Sequence, residues 1–114
     1  MQVRGLRGAE APEQSVKRNV SDAFDLYMRR LDSLFESNRT GAPSDFLERI
    51  DHYHKSSGLP EEVRSRLQTL RIWRNVSLHH DNARWARDGP GSADKASRHI
   101  AELDAQIRAL EVDS

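Results

Sequence analysis

Three observations predict an all-α fold, a compact up-down bundle of about four helices. Apolar residues recur at steps of three and four. No stretch of strand length alternates apolar with polar residues. Gly and Pro are few and fall at points where one periodic segment gives way to the next. At 114 residues the chain has the size of one domain. The organisation expected is a tail over residues 1–14 and one bundle over residues 15–112. Apolar residues make up 36% and charged residues 32% of the chain, a balance that suits a thin bundle with a large polar surface.

The tail carries Gly5, Gly8 and Pro12 and has no periodicity, so it is expected to be flexible. A first helix is expected from about Ser15 to Ser37, with Val16, Val20, Phe24, Tyr27, Leu31, Leu34 and Phe35 turned inward. A loop follows over residues 38–43. Asp45 offers an N-cap, with Glu48 three residues on as in a capping box. The short second helix turns Phe46, Leu47, Ile50 and Tyr53 inward and stops at Gly58. Pro60 opens a third helix, followed by Glu61 and Glu62 at the positive end of its dipole, and this helix is expected to reach at least His79. A break over residues 88–92 precedes a fourth helix capped by Ser92 or Asp94. Its seam is Ala96, Ile100, Leu103, Ile107 and Leu110.

Composition excludes several classes. There is no cysteine, which removes disulfides and thiolate zinc sites. No apolar run resembles a secretory h-region or a membrane span, so the expected setting is cytoplasmic, with no membrane partner. His52 and His54 are two apart and fall on different faces of a helix, so no metal site is expected, nor any cofactor. The net charge is zero, but charge is unevenly placed. Between Val63 and Arg87 the basic residues are Arg64, Arg66, Arg71, Arg74, Arg84 and Arg87, and Asp81 is the one acid. Arginine makes planar two-pronged contacts with phosphate. The blander reading of the same run is a solvated helix face.

A wheel at about 100° per residue sharpens the third helix. Val63, Leu67, Leu70 and Leu78 form a core stripe, and Arg74 falls in the middle of it. A guanidinium there needs partners or an opening, because an unpaired buried charge is costly. A structural salt bridge to Asp22, Asp25 or Asp104 would meet that need. The opposite face mixes Ile72, Asn75, Val76 and His79, as a contact surface with a second subunit would. Asn75 and His79, four apart, share that face. Trp73 and Trp85 are expected to pack in the core or an interface.

The run Leu70-Arg71-Ile72-Trp73-Arg74-Asn75-Val76-Ser77-Leu78-His79-His80-Asp81 resembles the motif helix of the HEPN superfamily of helical nucleic-acid-processing domains. Arg74 matches that family's arginine, Asn75 the polar residue after it, and His79 the histidine; His80 also satisfies the spacing. Arg49 and His54 repeat the interval, but without the Leu-Arg-Ile-Trp lead-in and the asparagine. The resemblance implies a bundle that dimerises with two motifs facing each other. It also implies a metal-independent endoribonuclease or RNA-binding domain, in some members a toxin or defence effector with an antitoxin or nucleotidyltransferase partner. Arg74, Asn75 and His79 would be catalytic, and Arg71, His80 and Arg84 would bind substrate. Members modified by a nucleotidyltransferase carry a tyrosine two residues after the histidine; here that place is Asp81, so the modification is not carried over. The alternative is a non-catalytic helical module that holds a protein or a nucleotide.

Overall fold

A computed structural model describes residues 12–79 and 82–114. Among them the chain forms five α-helices and a 3-10 turn, with no strand: α1 (Pro12–Leu34), a 3-10 helix (Glu36–Gly41), α2 (Phe46–Ser57), α3 (Glu61–Ser77), α4 (Asn82–Asp88) and α5 (Ala93–Asp113). No helix among these residues is long and apolar enough to cross a membrane.

Helix α1 is the spine. Its inner stripe of Val20, Phe24, Tyr27 and Leu31 is buried against α3 and α5. It starts at Pro12, earlier than Ser15, because proline and Glu13 both suit a helical first turn. It ends at Leu34 rather than near Ser37, and the expected loop winds instead as a 3-10 turn. Of the expected tail, residues 1–11 lie outside the described residues.

Helix α2 begins as its residues dictate. The Asp45 carboxylate accepts from the Glu48 backbone N–H at 3.2 Å. Gly58, at φ 77°, closes the helix in the left-handed conformation that other residues rarely adopt. Ile50 and Tyr53 enter the core, whereas Leu47 stays 43% exposed. The Tyr53 hydroxyl donates to Asp32 at 2.6 Å, and Arg49 pairs with the other oxygen of that carboxylate at 2.9 Å.

Helix α3 packs on α1, α2 and α5 through Val63, Leu67 and Leu70. It stops at Ser77, short of His79, and Leu78 caps it. Two expectations for this helix are corrected. Leu78 is 58% exposed instead of joining the core stripe, because that stripe runs past the end of the helix. Val76, expected outward, is buried. The physical reason is α4, a helix that was not expected. It is seven residues long and its one large apolar residue is Trp85, so it has no periodicity to read. It folds back onto α3 and buries Trp85. Gly89 ends this turn, and a methyl group there would lie 2.5 Å from the Trp85 carbonyl oxygen, so only glycine fits.

Helix α5 starts under the Ser92 cap, whose hydroxyl accepts from Lys95 N–H at 3.1 Å. Ala96, Leu103 and Ile107 of its seam are buried in the bundle itself. Arg30 clasps α5 to α1. Its Nε and Nη2 donate to Glu111, at 3.0 and 2.7 Å, and its Nη1 donates to Asp104 at 2.7 Å. The charge-assisted bonds from Arg30 hold both carboxyls below their ordinary range.

Candidate functional site

The motif sits where α3 ends and the chain turns toward α4. Arg74 projects from the last turn of α3 toward α1. Its Nε donates to Asp25 at 3.1 Å, so of the three candidate acids Asp25 is the partner. Asp104 serves Arg30 and Arg108 instead. The guanidinium lies over two rings, Phe24 at 5.6 Å and Phe46 at 5.4 Å, which themselves meet edge to face at 5.1 Å. The sequence reading did not foresee this aromatic bed, because it joins α1 to the start of α2 across the fold. Arg74 is not sealed in: its side chain keeps 22% of its exposure. Its two Nη nitrogens, four N–H donors in all, take no acceptor among the described residues.

Arg71 repeats the arrangement one turn earlier. Its Nε donates to Gln68 at 2.7 Å, and Gln68 is in turn tied to the Leu47 carbonyl at 3.1 Å. The Nη pair of Arg71 also lacks an acceptor among the described residues. Three residues apart on α3, Arg71 and Arg74 share a flank of the helix. Their outer nitrogens can receive oxyanions two-pronged, as phosphate oxygens require.

Asn75 and His79 are both exposed, on the outer side of α3 and just past its end. On an ideal helix the directions of residues 74 and 79 differ by about 140°. Arg74 turns inward to α1 while His79 stays exposed, so one chain does not bring the two together. Arg84 is exposed on α4. His80 and Asp81 lie outside the described residues. Around this end Leu47, Ile72 and Leu78 are exposed large apolar residues.

The other histidines are engaged in the fold. His54 Nδ1 meets the Leu59 carbonyl at 2.6 Å, and His52 Nε2 meets the Asn38 carbonyl at 3.3 Å. His99 packs on Trp73 with ring centroids 4.7 Å apart, and its Nε2 meets the Arg66 carbonyl at 2.9 Å. Burial pushes its pKa below the ordinary value, partly offset by that carbonyl. A cleft of about 630 Å³ opens between α1 and α5, lined by Val16, Asn19, Asp22, Ala96 and Ile100; neither Arg74 nor His79 reaches it.

These features define a helical bundle with a basic, partly aromatic edge at the end of its third long helix. No protein-family model, curated protein or solved structure matches the chain.

Proposed function

We propose that the chain is a HEPN-like domain that binds RNA and cleaves it without a metal, acting as a homodimer. The observation that carries this reading is the pair of Nη edges on Arg71 and Arg74 that take no acceptor among the described residues, with each side chain anchored through Nε and Arg74 also resting on Phe24 and Phe46. In the reaction an RNA 2′-hydroxyl attacks the adjacent phosphorus and loses its proton to one imidazole. The P–O5′ bond breaks, and the leaving 5′-oxygen takes a proton from a second imidazole. The products are a 2′,3′-cyclic phosphate and a 5′-hydroxyl end. His79 supplies the imidazole from each copy. Arg74 neutralises charge on the phosphate oxygens, and Asn75 orients the phosphate or the ring. The exposed Ile72, Asn75 and His79 belong to the contact between copies, and the two copies must meet across the end of α3 for His79 of one chain to approach the outer edge of Arg74 on the other. Arg71, Arg84 and His80 extend the contact along the RNA. A protein partner, as antitoxin or nucleotidyltransferase, and a cytoplasmic setting belong to the same reading.

The second reading is a non-catalytic interaction module. The Asp25–Arg74 ion pair and the exposed Leu47, Ile72 and Leu78 favour it. Incubation with total RNA in EDTA, beside a His79→Ala variant, separates the two. The first reading requires cleavage by the unmodified protein and none by the variant; no cleavage by either leaves the module.

A further inference from the structure

Lys17 is a buried cation with no carboxylate to meet it among the described residues. Only 8% of the residue is exposed. Its Nζ reaches the Asn82 side-chain oxygen at 3.5 Å and stands 5.5 Å from the centre of the Trp85 ring. A long hydrogen bond to a neutral amide and one aromatic face compensate an ammonium poorly, since it carries three donors and loses hydration on burial. Every other partly buried cation that clasps two helices here has a carboxylate: Arg30 has Asp104 and Glu111, Arg49 has Asp32, Arg64 has Asp51 and Arg66 has Glu102.

The position of Lys17 gives the missing anion a source. Lys17, Ser21 and Asp25 recur at intervals of four and share one stripe of α1. Asp25 anchors Arg74 at one end of the stripe, and Lys17 meets the first residue of α4 at the other. Eight residues of helix separate the two by about 12 Å. His79 follows the end of α3 at Ser77, and α4 begins at Asn82.

We infer that Lys17 binds a backbone phosphate of the same single-stranded RNA that Arg74 holds, at the end of the α1 stripe that meets α4. This rests on the reading of the Arg74 edge as an RNA site. Asn82 and Trp85 position the ammonium, and the phosphate supplies the counter-charge that the described residues do not. Lys17 is thus a binding residue and takes no part in proton transfer. The burial of Lys17 also has a cost that a purely structural lysine would not have. Removing the charge relieves the unliganded protein, while removing a structural contact weakens it.

The test compares Lys17→Met, which keeps length and packing on Trp85, with Arg74→Met and Asp81→Asn in the full chain. The probe is a 2′-O-methyl RNA oligonucleotide, which binds without being cleaved, and inorganic phosphate serves as a second ligand. Lys17→Met is expected to weaken RNA binding about tenfold, the worth of one charge-assisted bond. The salt dependence of log K should flatten by about 0.7, one single-strand phosphate contact. Its Tm without RNA should equal or exceed that of the unmodified protein. Unchanged RNA affinity in Lys17→Met, with Arg74→Met weakened, overturns this inference and leaves the Arg74 reading standing. No loss in either variant overturns both. A fall in Tm shared by Lys17→Met and Asp81→Asn, with binding intact, also overturns it, by assigning Asp81 as the partner. Tighter binding of inorganic phosphate than of RNA, lost in Lys17→Met, overturns the RNA assignment in favour of a free anion.

Discussion

Arg30 and Arg74 are nearly equally exposed, with side chains at 20% and 22%, and both reach across helices to acids. They differ in how much of the guanidinium the fold consumes. Arg30 engages Nε and both Nη nitrogens on Asp104 and Glu111, joining α1 to α5. Among the described residues Arg74 engages Nε alone, on Asp25, and rests on Phe24 and Phe46. A guanidinium whose donors are all taken is a clasp. One that is held by its inner nitrogen and left open at its outer edge is oriented for something outside the chain. The comparison therefore predicts opposite consequences for the two arginines, one on stability and the other on binding.

The largest expected effect belongs to the chemistry that the Arg74 edge serves. His79→Ala should reduce RNA cleavage by about a hundredfold or more, the usual worth of a positioned acid or base, with an unchanged Tm because the ring is exposed. A cleavage assay in EDTA beside a melting curve reads both. Next, Arg74→Met should weaken binding of uncleavable RNA about tenfold, the loss of a charge-assisted contact. Its stability should change by less than about 1 kcal/mol, since Asp25 is 39% exposed and the pair is screened by solvent. Arg30→Met should do the reverse. It should cost about 1–2 kcal/mol in a urea titration, because two carboxylates lose their partner, and it should leave RNA affinity alone. Similar losses of binding from both variants would erase the distinction between clasp and open edge.

A smaller effect separates the two regions by pH. His99 has its native pKa depressed by burial, so the unfolded chain takes up a proton more readily than the native one. Its contribution is complete above the ordinary histidine value of 6.5 and is lost as pH falls from there toward the native value. His99→Gln should flatten that part of the Tm profile. Asp104 and Glu111, held low by Arg30, act in a more acidic window. Their contribution is present above the ordinary carboxylate values and disappears as pH drops through the lowered native ones. Arg30→Met should abolish that second slope and leave the first.

The ends of α2 and the start of α5 were legible because their signals are local. Asp45, Gly58 and Ser92 act on backbone within a few residues of themselves. The seam of α5 was legible because 21 residues repeat one pattern. Helix α4 was not, since seven residues with one tryptophan are helical only because Trp85 finds a place against α3. Missing α4 carried the errors at Leu78 and Val76: the wheel extended an ideal helix past Ser77 and left out the element that covers its far side. At the candidate site the need of Arg74 for a partner could be read from its place in the core stripe. The choice of Asp25 over Asp22 and Asp104 could not, because it depends on how α1 slides along α3. Lys17 gave no signal at all in the sequence, since its burial exists only once α4 folds back.

The most direct measurement follows the arginine side-chain ¹⁵N and ¹H resonances while the 2′-O-methyl RNA is titrated into the protein. The guanidinium signals of Arg71 and Arg74 should shift with RNA, and those of Arg30 should stay fixed. Arg74 signals that hold still while RNA binds, with Asp25 still its sole partner, would contradict the open-edge reading of Arg74.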